Sequence, residues 1–425
     1  MALVALLVVV AHSSATVLLV APHNSYRIHA YIEAAERLDI NLVVASQGEH
    51  SLVSAVSSGI QIDFNNDAVS LQRIVDANKT CPFDAVITTD DGGVRLAAKM
   101  AQVLGLPAND PESSELTRRK DLARIRLKSC DVAIPAFRVV NLLENLPKQL
   151  QNIHFPVVVK PLAMSGSKGV IRADNQQECT EALARLEKIL SVVSDKMEQS
   201  HALIESYIDG KEVAFEGLLH KGELKQLAIF DKPEPMEGPF FEESYYITPT
   251  RLSESEQLLI ANRVAEACGA YGLREGPIHA ELRVQGDNAF IIEIASRTIG
   301  GDCADMLKFG LNMGLEELVL LQALGKPVDV PALKNSVGVL MIPIPAQGLL
   351  RRVEGIHEAK KVAYITDLGI SVREGYELVP LPEGSSYLGF IFAKAPTAEL
   401  VEGALRKAFE CLNIRITPSF KILSS

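Results

Sequence analysis

VVVKPLAMSGSKGV, residues 157–170, joins an apolar β-branched run to a lysine, a proline and a glycine-serine loop. Val157, Val158 and Val159 read as a short strand covered on both faces. Lys160 ends that strand, where burying its ammonium is costly unless an anion neutralises it. Pro161 stops the ladder, and Ser165, Gly166, Ser167, Lys168 and Gly169 form a flexible turn rich in backbone donors. Successive N–H groups in such a turn can wrap a phosphate. The G-x-x-x-x-G-K-[ST] pattern of a P-loop is missing, and a glycine-rich hairpin with Lys160 reaching for water fits this stretch equally well. The neighbouring chain decides between them.

Downstream, "HALIESYIDGKEVAFEGLLHKGELKQLAIFDK" reads as one antiparallel meander with turns at "IDGK" and "HKGE". Glu205 and Glu212 fall in it, spaced to accept from an adenine amino group and from ribose hydroxyls, although "DGKE" is also an ordinary turn. The strands "PIHAELRV" and "AFIIEIAS" follow around a "QGDN" turn. Glu281 and Glu293 alternate with apolar neighbours on these strands, so both are expected to point the same way. Two carboxylates facing one space repel unless a cation lies between them, and hard Mg²⁺ takes carboxylate and phosphate oxygens together. Arg297 and the pair Gly300–Gly301 come directly after. A metal pair, a guanidinium and a flexible backbone loop suit a transferring phosphoryl group.

Around this centre the chain divides into three units. Residues 1–113 alternate strands with helices, as in an open parallel α/β domain. "TVLLV", "NLVVAS", "IQIDF" and "DAVITT" are its strands, and no G-x-G-x-x-G follows the first. Residues 114–326 form the α+β centre, with a lid subdomain at about 155–205. There Asp174 is expected to cap the helix "NQQECTEALARLEKIL", and Ser253 with Glu256 has capping-box spacing. Residues 327–425 read as a small α+β domain. The opening "MALVALLVVV" leaves three readings for residues 1–15: a leader, an extra strand or a start-site artefact.

Composition narrows the function. A chain of 425 residues that is 48% hydrophobic can bury several cores, and its net charge of −11 disfavours nucleic-acid and membrane partners. One basic run, "TRRKDLARIRLK" at residues 117–128, reads as a solvated helix face. Six scattered cysteines without a C-x-x-C argue for a reducing, cytoplasmic setting.

The ordered set of these parts resembles the ATP-grasp superfamily over roughly residues 115–325. Lys120 stands before the domain, then Lys160 with the 165–169 loop, the hinge "ESYI", Glu212, and "HAEL…IIEIASR". The resemblance implies two α+β subdomains clamping ATP, with Mg²⁺ (or Mn²⁺). Lys120 and Lys160 would hold the nucleotide phosphates under Ser165, Gly166, Ser167 and Gly169. Glu205 with the Tyr207–Ile208 backbone would meet adenine, and Glu212 the ribose. Glu281 and Glu293 would bind metal, and Arg297 would stabilise an acyl phosphate. Ala295 stands where many members carry asparagine.

The C-terminal segment and "FDKPEPMEGPFFEESYYITPTRL" look like L-amino-acid ligases, the dipeptide-forming members. On that resemblance Glu242, Glu243, His279, Gly300 and Gly301 are candidates for meeting a substrate. The expected activity is an ADP-forming carboxylate–amine ligation of small molecules, and an assembly, if any, would be a homodimer. A purine-pathway or biotin-carboxylase-like enzyme and a non-catalytic ATP-binding module stay open as alternatives.

Overall fold

The structure is a computed structural model, described for residues 14–47, 59–301, 303–310, 313–327 and 335–418. Residues 1–13, and with them most of the disputed N-terminal stretch, lie outside the described residues. Thr16–Val20, fully buried and without a charge, is an inner strand of a parallel sheet. The order is Gly59–Gln61, Asn41–Ser46, Thr16–Val20, Ala85–Thr88. "IQIDF" contributes only the short Gly59–Gln61 strand. The helix Ile28–Arg37 buries Ile28, Tyr31, Ala34 and Ala35 at helical spacing, while Ile32 and Leu38 pack at the margin. The open parallel α/β unit is as expected.

The lid is a four-stranded antiparallel sheet ordered Phe137–Asn141, His201–Ser206, Val157–Lys160, Ile171–Ala173. Its first strand lies ahead of residue 155, so the lid sheet begins earlier than the sequence suggested. Val157, Val158 and Val159 are all buried, as an apolar β-branched run requires. The helix Gln176–Leu190 covers the sheet with Cys179, Ala182, Leu183, Leu186, Ile189 and Leu190. Its cap is Asn175, whose side chain accepts from the Glu178 N–H at 3.1 Å, and not Asp174. Asp174 instead takes the Arg172 guanidinium at 2.7 Å. Both residue types cap well, so position one residue before the helix decides. The capping box of Ser253 and Glu256 forms as read.

The expected single meander breaks at "IDGK". His201–Ser206 belongs to the lid, whereas Lys211–His220 enters an eight-stranded sheet. That sheet runs Asn288–Ala295, Gly276–Gln285, Lys211–His220, Glu223–Asp231, Tyr245–Thr248, Ser336–Ile342, Gly389–Ala395, Ile365–Ile370. Its last three strands come from beyond residue 327, so one sheet crosses the boundary drawn from sequence. The C-terminal unit keeps a core of its own, in which the helix Ala398–Glu410 buries Val401, Ala404, Leu405 and Ala408. A second small sheet of Gly348–Glu354, Glu377–Leu378 and Asn413–Thr417 completes it. None of the six cysteines forms a disulfide. Among the described residues no helix is long and apolar enough to cross a membrane.

Candidate active site

A cavity of about 560 Å³ separates the lid from the eight-stranded sheet. The residues singled out from sequence line its wall, except Gly169 and Glu242. Gly169 lies behind the loop, its N–H donating to the Pro382 carbonyl at 2.8 Å. Glu242 borders a different cavity of about 440 Å³, while its neighbour Glu243 faces the main one. Successive residues of an extended segment point to opposite sides, so only one of the two can face inward.

One end of the cavity is apolar. Val158, Met236 and Phe241 cluster with Val170 and Tyr207, next to the turn from the lid into the large sheet. At the strand end Lys160 is only 7% exposed, with its ammonium 2.7 Å from Glu205. Glu205 also takes the Arg124 Nε at 2.5 Å, and Arg124 reaches the Ile292 carbonyl at 2.6 Å. Burial alone would raise the Glu205 carboxyl, but Arg124 and Lys160 hold it down at about 2. Lys120 donates to the Met164 carbonyl at 2.8 Å and stands 3.4 Å from Glu293, tying the lid loop to the sheet.

The other end is charged. Glu281 and Glu293 face each other across the ladder, as their alternation required. Glu281 further joins Glu212 and Glu243 in a group whose oxygens lie within 4.8 Å of one another. Lys232 sits among these three at 2.9, 2.6 and 3.6 Å from Glu212, Glu243 and Glu281. Burial and the Glu281 charge push the Glu243 carboxyl up to about 7. His279 lies between Glu216 at 3.2 Å and Glu281 at 3.6 Å. Burial works against its cation, yet these carboxylates keep its pKa above the ordinary histidine value. Arg297 grips Asp91 with Nε and Nη2 at 3.0 and 3.1 Å and gives Nη1 to the Thr298 carbonyl. The Gly301 N–H donates to the Tyr26 hydroxyl at 2.9 Å. Ala295 is buried and offers no ligand.

Comparison with known families matches this arrangement segment by segment. The ATP-grasp domain covers residues 153–306, the ATP-grasp N-terminal domain residues 32–108, and L-amino acid ligase C-terminal domain 2 residues 340–417. The chain thus carries an ATP-grasp domain. A crystal structure of an L-amino acid ligase from Bacillus licheniformis superposes with a TM-score of 0.82 at 26% identity, covering 95% of this chain and 99% of that one. The L-arginine-specific L-amino acid ligase of Bacillus subtilis is 22% identical over 76% of this chain and 78% of its own length. Alanine–anticapsin ligase of Bacillus subtilis (strain 168) is 25% identical over 61% of this chain, which spans 58% of that protein.

Three residues of this site were not read from the sequence. Lys232 is one, although "FDKP" repeats the signal of "VVVKP": an apolar strand ending in lysine and proline. Arg283 is another. It donates to Glu212 and to the Ile208 carbonyl, each at 2.9 Å, and lies over the Tyr207 ring at 4.8 Å. It thereby joins the apolar slot to the acidic cluster. Asp91 is the third; it comes from the N-terminal domain and fixes Arg297 across 206 residues of chain.

Proposed function

We propose that the protein is an ATP-dependent carboxylate–amine ligase that activates a carboxylate as an acyl phosphate and joins it to an amine, with an amino acid among its substrates. One observation carries this reading: a single cavity runs from an apolar slot, past two lysines, to a carboxylate cluster and a fixed arginine. A flat base suits Val158, Met236 and Phe241 beside the Tyr207–Ile208 hinge, and ribose hydroxyls suit Glu212. Lys120 and Lys160 neutralise phosphate, and the Ser165–Gly169 loop shields it from water. Arg297 has five N–H donors, and three are committed to Asp91 and Thr298. The remaining two are available to the oxygens of an acyl phosphate. Glu243, His279, Gly300 and Gly301 border the space left for the substrates. The names of the amino-acid-ligase relatives and the C-terminal domain match favour an amino acid there.

Glu281 and Glu293 face each other across the ladder and offer hard carboxylate oxygens, a donor set that fits a magnesium ion. These two residues would hold it, and when bound it would neutralise phosphate oxygens. Glu281→Gln is expected to raise the magnesium concentration needed for half-maximal activity by about 10-fold, since a neutral amide is a poorer ligand. Manganese binding followed by electron paramagnetic resonance should weaken in parallel. An unchanged titration would remove Glu281 from the metal site.

The reaction itself is tested by incubating the full chain with Mg-ATP and pooled amino acids, then reading products by mass spectrometry. ADP, phosphate and an amide are expected, with oxygen-18 passing from a labelled carboxylate into phosphate. AMP and pyrophosphate would mean adenylation and would overturn the proposal.

A further inference from the structure

The lid touches more than the sheet beneath it. The segment 380–387 of the C-terminal domain lies against the lid at three points, two on the glycine-rich loop and one on the lid helix. Gly169 donates its N–H to the Pro382 carbonyl at 2.8 Å. Arg185, on the lid helix, closes both arms of its guanidinium on Glu383 at 2.6 and 2.8 Å. Gly166, at a φ of +66°, passes so near Ser385 that a Cβ there would stand 3.3 Å from the serine Cβ.

The same segment is firmly shaped and reaches the opposite end of the cavity. Gly384 donates to the Pro380 carbonyl at 2.9 Å, and a Cβ on it would collide with the Val379 carbonyl, so the turn is tight. The Leu388 N–H donates to the Ile342 carbonyl of the large sheet at 2.8 Å, which roots the segment in that sheet. Between turn and root, Ser385, Ser386 and Tyr387 form part of the cavity wall. A stiff segment that grips the lid at one end and lines the substrate space at the other connects the two mechanically.

We infer that residues 380–387 are a strap by which the C-terminal domain positions the phosphate lid, with Arg185 and Glu383 as its positioning pair and Tyr387 as its contact with the substrate space. The inference rests on the cavity being the ATP and carboxylate site proposed above. Neither Arg185 nor Glu383 lines the cavity, so their effect is exerted through the lid. A substrate seated against Tyr387 holds the strap in place, and the strap holds the lid shut while phosphate is transferred. Without the strap, water reaches the phosphate end and ATP is lost without amide formation.

Charge reversal tests this. Glu383→Arg and Arg185→Glu are each expected to raise the KM for ATP by about 10-fold, because an attractive bidentate pair becomes a repulsive one. Each should also release several phosphates per amide, and hydrogen exchange at residues 161–173 should quicken with and without Mg-ATP. The double variant, which restores opposite charges, should recover both the coupling ratio and the slow exchange. Wild-type exchange and coupling in the single variants would overturn the strap, as would a double variant no better than the worse single one. If the wild-type chain forms no amide yet the exchange pattern follows the charges, the strap stands and the ligase reading fails.

Discussion

Replacing Arg297 by lysine is expected to leave ATP binding near the wild-type level and to lower the ligation rate about 100-fold or more, the loss seen when one oriented oxyanion donor is removed. The reason lies in geometry more than charge. Asp91 takes two N–H groups of Arg297, and the Thr298 carbonyl takes a third, which locks the plane of the guanidinium. The other two donors then hold a fixed direction, toward the reacting oxygens in the mechanism proposed above. A lysine keeps the positive charge but has three donors on a rotating ammonium, and it cannot satisfy Asp91 in bidentate fashion while serving the substrate. Burial works against the Arg297 cation, but the Asp91 carboxylate raises its pKa, so it stays charged across any working pH. Single-turnover measurement of acyl transfer, beside equilibrium nucleotide binding, separates the two effects. A variant that ligates at the wild-type rate would show that Arg297 only braces the N-terminal domain.

Glu205→Gln is expected to cost about 3–5 kcal/mol of stability, because removing one partner leaves buried charges uncompensated. Arg124 and Glu205 are each 1% exposed, and together they connect the helix Lys120–Ser129, the lid strand and the large sheet. Urea unfolding followed by circular dichroism reads the loss directly. The pH dependence gives a second signature with a definite sign. The folded carboxyl is held at about 2 against an ordinary 4.5, so its contribution is present above pH 4.5 and is lost as pH falls toward 2. The wild-type chain should therefore lose part of its stability through that window, and the glutamine variant should not lose that part. Equal acid sensitivity in both would mean that Arg124 and Lys160 are satisfied elsewhere.

The features legible in the sequence were those written in local pattern. The β-branched run ending in Lys160, the alternation around Glu281 and Glu293, and the spacing of Ser253 and Glu256 each state their geometry within a few residues. What escaped was written across distance or in near-equal choices. Asp91 meets Arg297 only because two domains pack together, and no local pattern marks it. Asn175 and Asp174 are chemically matched caps, so only the helix register separates them. The "IDGK" turn looks like a hairpin because strands flank it, yet the chain uses it to pass from one sheet to another. Lys232 carries the same local signal as Lys160, but it ends a segment whose alternation reads as meander.

The passage of one sheet across the residue 327 boundary bears on how the chain is made. Tyr245–Thr248 pairs on one side with Glu223–Asp231 and on the other with Ser336–Ile342, which in turn pairs with Gly389–Ala395. During synthesis the first 300 residues emerge while the far edge of that sheet still lacks its neighbours. Tyr245 and Ile247 then present apolar side chains beside unpaired N–H and C=O groups, a template for pairing with another nascent chain. The catalytic half therefore completes its fold only when Ala395 has left the ribosome, and a gene cut at the apparent domain boundary would encode an aggregating fragment instead of a working core.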